Sequence, residues 1–172
     1  MRRLRPFLLL SFVLSACGGG TEDKFAPACP GAAILRDAAD LHRYRGAGRD
    51  LTDTVLEGRI SGLGGSCKRD GATTVVATIK VGIDLTRGPA APDRQTDVTY
   101  FVAVLDGETI LDKRVFRLRP SFEGNSNKLR LDGDEVELRL PVTRQKSAAA
   151  YRIQVGFQLT PAELAVNRQG GR

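Results

Sequence analysis

The sequence is poor in the residues that most catalytic and metal sites need. Its 172 residues contain one His, three Cys, one Met and no Trp, and aromatic residues make up 6%. A Ser-His-Asp triad would have to use His42. The two Cys that follow Cys17, together with one His, are too few ligands for a zinc site. The apolar stretch at residues 7–14 (FLLLSFVL) is well below the roughly 20 residues of a membrane-spanning helix. These shortages exclude most imidazole-based chemistry.

The N-terminus has the pattern of an export signal. Arg2, Arg3 and Arg5 precede the apolar stretch, and residues 14–17 (LSAC) follow it. This arrangement resembles the lipobox of bacterial lipoproteins, which implies cleavage after residue 16 and lipidation of Cys17. A plain secretory signal with an incidental Cys is the alternative. Two or three acyl chains on one Cys would hold the protein stably on a bilayer.

A glycine-rich tether is predicted after the signal, over residues 17–28. Gly18 occupies the position where an Asp commonly marks lipoproteins for retention in the inner membrane. The lipoprotein resemblance therefore implies the periplasmic face of the outer membrane, with the membrane as a partner through the lipid anchor.

The charge balance argues against nucleic-acid binding. Loss of the three signal arginines lowers 26 basic residues to 23, against 20 acidic residues, so the net charge falls from +6 to +3. The remaining basic residues are mixed with acids, as in residues 111–114 (LDKR), whereas a nucleic-acid surface needs a concentrated basic stripe with stacking aromatics. We expect no nucleic-acid partner.

Cys29 and Cys67 remain once Cys17 is set aside. An even pair in an exported protein is most simply a disulfide, and it would close a loop of about 38 residues, worth roughly 4 kcal/mol on the chain-entropy model. A redox-active pair is the alternative, but the usual Cys-x-x-Cys spacing is absent. We predict a structural disulfide.

Two-residue alternation of apolar and polar side chains dominates the mature chain and indicates β-strands. Predicted strands cover residues 55–60, 75–85, 98–105, 108–118, 135–142 and 151–159, with Asp106-Gly107 as a hairpin turn. Residues 30–45 fit either a short first strand at 32–35 or a helical turn near Ala38. The apolar faces are Leu56, Gly58 and Ile60; Ala77, Ile79, Val81, Ile83 and Leu85; Val136, Leu138, Leu140 and Val142; and Tyr151, Ile153, Val155, Phe157 and Leu159.

The strands predict an all-β fold, an antiparallel immunoglobulin-like β-sandwich of about seven strands, with a small β-barrel as the alternative. Thr160 as N-cap, Pro161 at N1 and Glu163 at N3 predict a short C-terminal helix. We assign residues 29–168 to a single domain and residues 169–172 to a disordered tail.

Three polar features are candidate sites, and each also has a structural interpretation. His42 lies in a polar run and is interpreted as solvated. Residues 132–135 (DGDE) are rich enough in carboxylates for calcium, but Asp-Gly between two strands is typical of a hairpin turn. Asp50 and Asp53 either orient a partner's charge or bond local backbone in a turn. The turn interpretations are favoured, so no catalytic residue, metal site or cofactor is predicted.

An apolar strip is a further possibility on an outer sheet face. Phe101, Leu105 and Leu111 either form an exposed docking surface or lie under loops or the terminal helix.

Several segments together are similar to an uncharacterised family of proteobacterial lipoproteins. They are the lipobox Cys17, Cys29-Pro30, residues 48–53 (GRDLTD), Ser66-Cys67 and residues 157–168 (FQLTPAELAVNR). The resemblance covers nearly the whole mature chain and implies an anchored periplasmic domain without an assigned activity.

A lipid anchor, a β-domain and no recognisable reactive centre predict a non-enzymatic envelope protein. We expect it to bind an envelope protein or polymer, or to assist the assembly of an outer-membrane complex. The alternative is a hydrolase that uses carboxylates or a Ser without His.

Overall fold

The computed structural model describes residues 28–170, which form two β-sheets and one C-terminal helix. The strands are β1 (Gly31–Ile34), β2 (Asp40–Tyr44), β3 (Thr54–Asp70), β4 (Thr74–Arg87), β5 (Val98–Asp106), β6 (Thr109–Leu118), β7 (Lys128–Asp132), β8 (Val136–Pro141) and β9 (Tyr151–Phe157), and the helix α1 is Pro161–Gly170. The prediction of an all-β sandwich is confirmed. Over the described residues the sheets stay separate and do not close into the small barrel considered as the alternative.

The first sheet has the order β1-β9-β5-β6, and the second has the order β2-β3-β4 with β7 and β8 both paired to β4. Every pair is antiparallel except β1 with β9, which is parallel. The structure contains two strands, β2 and β7, that the sequence pattern does not predict. Residues 30–45 combine both predicted interpretations, because β1 is followed by a 3₁₀ turn at Arg36–Ala38 and then by β2.

The core lies between the sheets and is built from the alternating apolar faces that the sequence predicts. On β4, Val81, Ile83 and Leu85 are at most 1% exposed, and their polar neighbours face outward. On β9, Tyr151, Ile153, Val155 and Phe157 are buried in the same cluster. Since burial of one large apolar side chain stabilises a fold by about 1.5–3 kcal/mol, these faces supply most of the driving force for sheet packing.

The Asp132-Gly133 pair does not form the predicted hairpin turn. Strands β7 and β8 pair one after the other with the same strand, β4, so the chain continues in one direction through residues 133–135. The backbone N–H of Gly133 donates to the carbonyl of Val81 at 2.8 Å, which keeps the segment attached to the sheet. The glycine therefore marks an interruption within a strand path and not a reversal.

The predicted apolar strip is partly covered. Phe101 and Leu105 are each 8% exposed and pack with Ala38, Ala103 and Leu159 on the outer face of the first sheet. Leu111 stays 52% exposed on the edge strand β6. The 3₁₀ turn and the segment before α1 thus cover the strip at β5 but not at β6.

Some predictions fall outside the described residues. The signal, Cys17 and all of the tether except Ala28 belong to this group. Helix α1 includes Gln169 and Gly170, two residues past the predicted domain end at 168, so the predicted tail starts inside a helix. Among the described residues, no helix is long and apolar enough to span a membrane.

Candidate functional site: an arginine-lined cleft

A cleft of about 870 Å³ opens at one end of the second sheet. It lies where β2 ends, β3 begins and β4 ends, and two loops, residues 88–97 and 119–127, form its other walls. Apolar side chains of Val55, Leu56 and Phe122 contribute to the lining. Four arginines from four different segments also line it, namely Arg43, Arg87, Arg94 and Arg119.

The loop after β4 is fixed across the start of β3 by backbone contacts. The N–H of Gly88 donates to the carbonyl of Val55 at 3.0 Å, and the N–H of Ala90 donates to that of Thr54 at 2.9 Å. A Cβ on Gly88 would collide with the Thr54 carbonyl, so the close approach requires glycine. This wall of the cleft is therefore fixed by hydrogen bonds and not only by the prolines of the loop.

The two loops are also joined to each other. The N–H of Thr96 donates to the carbonyl of Pro120 at 3.0 Å, and the N–H of Phe122 donates to that of Arg94 at 2.9 Å. Phe122 is 2% exposed and anchors its loop in the core. A concave site with backbone-fixed walls is preorganised, which lowers the ordering cost when a ligand binds.

Two of the four arginines are neutralised by acids. Arg43 Nε donates to Glu163 Oε1 at 3.1 Å, and Arg119 Nε donates to Asp97 Oδ1 at 2.9 Å. Arg43 also donates from Nη1 to the carbonyl of Asp97 at 3.0 Å. These contacts hold Arg43 and Arg119 in place at the rim.

The other two arginines form no ion pair within residues 28–170. Arg87 donates from Nη2 to Asn127 Oδ1 at 2.8 Å, and its Nε is buried with no acceptor in the described structure. Arg94 is exposed and donates from Nε to the carbonyl of Phe122 at 3.1 Å. Both guanidinium groups thus keep their positive charge at the cleft, where it favours an anion.

The disulfide lies far from the cleft. Cys29, just before β1, is bonded to Cys67 of β3, with the Cα atoms 5.8 Å apart, so the predicted pairing is confirmed and links the two sheets. Cys67 lies opposite Ala77 of β4, and Arg87 is ten residues further along that strand. At about 3.3 Å per residue, the chain enters the domain roughly 30 Å along β4 from the cleft.

His42 lies in a second, smaller groove. The sequence predicts a solvated side chain, whereas the structure shows one that is partly enclosed. Helix α1 lies against β2, so His42 is partly buried and its Nδ1 has no hydrogen-bond partner among residues 28–170. Asp40 and Asp37, which line the same groove, are paired with Arg59 and Arg168. The groove therefore brings no unpaired carboxylate to the imidazole.

The remaining polar candidates are structural where the chain is described. Asp50 and Asp53 form the capping box of a 3₁₀ turn at Leu51–Asp53, as the local-turn interpretation predicts. No group of three or more His, Cys, Asp or Glu side chains is placed to hold a metal ion in residues 28–170, and this includes residues 132–135.

Sequence reasoning missed the cleft because its charges are scattered. The four arginines span 77 positions of the sequence, from 43 to 119, and each stands near acids in the chain. The only local signal was the proline-containing loop after β4. The fold, and not any motif, brings these side chains together.

Comparison with known proteins gives no relative. No protein-family profile matches the chain, and neither the curated proteins nor the solved structures contain a significant match. The resemblance to the lipoprotein family stays a prediction from the quoted segments.

Proposed function

We propose that the protein is a non-enzymatic lipoprotein, anchored through Cys17 at the periplasmic face of the outer membrane, and that its arginine-lined cleft binds an anionic envelope component. The observation that carries the proposal is the position of the cleft. It lies roughly 30 Å along β4 from the disulfide at which the chain enters the domain. A domain anchored through that entry would present the cleft away from the membrane.

The ion pairs of the acids that line the cleft and the His42 groove favour a binding function over a catalytic one. Three of the four acids that line them form ion pairs, namely Asp97 with Arg119, Asp40 with Arg59 and Asp37 with Arg168. Asp93 of the cleft is the one such acid without an ion-pair partner within residues 28–170, so it leaves a single available carboxylate. A hydrolase that lacks His would need carboxylates available as acid and base. The ion pairs instead support a charge-recognition surface.

The anchor is tested by replacing Cys17 with Ala and fractionating cells. The wild-type protein should be recovered with the outer membrane, and the Cys17→Ala variant should not carry acyl chains. Mass spectrometry that finds an unmodified Cys17 in the wild-type protein would contradict the anchored part of the proposal.

The binding site is tested by crosslinking in intact cells. A photoreactive amino acid at Gln95 or Ser121, both on the cleft walls, should capture an envelope protein or polymer. The matched control places the same photoreactive amino acid at the position of Ala72, in the β3–β4 turn at the other end of β4. Equal capture at both ends, or capture at neither, would contradict the assignment of the cleft.

A further inference from the structure

The buried Nε of Arg87 indicates that a hydrogen-bond acceptor belongs at the cleft. Arginine has five N–H donors, and burial of one without an acceptor costs about 1–3 kcal/mol. The side chain is held by Nη2 on Asn127, so its position is fixed although Nε is unpaired among the described residues. Arg87 is one of the residues that line the cleft, so an oxyanion bound against its guanidinium group would supply the missing acceptor.

Among the described residues, the unpaired side chains of the cleft carry a net positive charge of +1, since Asp93 offsets one of the two unpaired arginines. Arg43 and Arg119 are already neutralised, whereas Arg87 and Arg94 lack ion-pair partners within the part of the chain described. A carboxylate supplies one negative charge, but a phosphate monoester carries −1.5 to −2 at about pH 7 and has three acceptor oxygens. The number of acceptor oxygens distinguishes the two anions, because two guanidinium groups from different segments match the three oxygens of a phosphate monoester better than the two of a carboxylate.

The rest of the cleft suits a hydroxyl-rich group. Its volume of about 870 Å³ lies in the range of small-molecule pockets and is too large for a phosphate alone. Asp93, Gln95 and Ser121 line it, and their side chains make no hydrogen bond or ion pair with other described residues. Acceptors and donors mixed in this way match the hydroxyl groups of a sugar.

On these grounds we infer that the cleft binds a phosphorylated saccharide. This inference rests on the proposed function. Arg87 and Arg94 hold the phosphate, and Asp93, Gln95 and Ser121 bond the sugar hydroxyls. The component recognised in the envelope is then a phosphate-bearing glycan.

Isothermal titration calorimetry on the full-length lipoprotein in detergent, in phosphate-free buffer, tests this inference. Glucose 1-phosphate should bind at least tenfold more tightly than glucuronate, and more tightly than inorganic phosphate or O-phosphoserine. Arg87→Ala and Arg94→Ala should each weaken glucose 1-phosphate binding at least tenfold. Arg69→Ala, which removes a charge on β3 opposite the first residues of β4, should leave the affinity unchanged.

Arg94 is exposed, so Arg94→Gln keeps the test valid if replacement of the part-buried Arg87 disturbs folding. Glucuronate binding as tightly as glucose 1-phosphate would overturn the phosphate assignment, and inorganic phosphate or O-phosphoserine binding as tightly would overturn the saccharide assignment. No binding of any probe would overturn both. If crosslinking at Gln95 still captures an envelope component in that case, the inference fails while the proposed function stands.

Discussion

The phenol oxygen of Tyr100 lies directly against the backbone of Gly133. A Cβ built on Gly133 would come within 2.5 Å of that oxygen. Tyr100 is fully buried, its hydroxyl has no hydrogen-bond partner within residues 28–170, and its ring stacks on Phe116 with centroids 5.1 Å apart. The tyrosine thus explains why glycine is needed at the interruption between β7 and β8.

Gly133→Ala is expected to lower the free energy of unfolding by about 1–3 kcal/mol, because the added methyl overpacks a buried site. Tyr100→Phe should be neutral or stabilising, since it removes a buried hydroxyl that has no partner. Urea denaturation of both single variants and the double variant measures the coupling. The double variant should recover much of the stability lost in Gly133→Ala, and strictly additive effects would contradict the contact.

Tyr100 also predicts a loss of stability at alkaline pH. Burial, and to a smaller extent the charge of Asp134, raises the pKa of Tyr100 above its ordinary value of 10.0. The folded state therefore retains a proton that the unfolded chain releases, so the contribution of Tyr100 to stability is fully present below about pH 10 and is lost as the pH rises further. Thermal unfolding from pH 8 to 11 should show a smaller alkaline decrease in Tyr100→Phe than in the wild type. Parallel decreases in the two proteins would show that other groups cause it.

The disulfide predicts sensitivity to reduction. Replacing Cys29 and Cys67 together with Ala should lower the free energy of unfolding by about 4 kcal/mol, because the 38-residue loop is no longer closed in the unfolded chain. Urea denaturation with and without a reducing agent measures this effect. The reductant should destabilise the wild type and leave the double variant unchanged, and an insensitive wild type would contradict a stabilising role.

Local patterns were sufficient to predict most strands. The alternation in β4 and β9 is long, and each apolar face is buried as expected. The predicted capping box of α1 is also confirmed. Thr160 Oγ1 accepts from the N–H of Glu163, and Glu163 Oε2 accepts from the N–H of Thr160. In these cases the determining contacts lie within a few residues or on one strand face.

Long-range contacts account for what was missed. Residues 132–133 look like a turn because the sequence does not show that β7 and β8 share β4 as a partner. His42 looks exposed because nothing near it in sequence indicates that α1, more than 115 residues later, lies against β2. The arginine cleft was missed for the same reason, since the four segments that form it meet only in the folded chain.

The amide side chain of Asn167 helps to attach α1, together with the ion pairs of Glu163 and Arg168. Asn167 Nδ2 donates to the carbonyl of Asp40 at 2.7 Å and to that of Asp37 at 2.9 Å, and Asn167 is partly buried. Asn167→Ala leaves both carbonyls without this donor, so the helix should detach more often, at a cost of about 1–3 kcal/mol for the lost bonds. Hydrogen exchange of the α1 amides should become faster, while that of the β4 amides stays unchanged. Gln169→Ala, at an exposed position two residues later, is the matched control, and equal exchange in the two variants would contradict the role of Asn167.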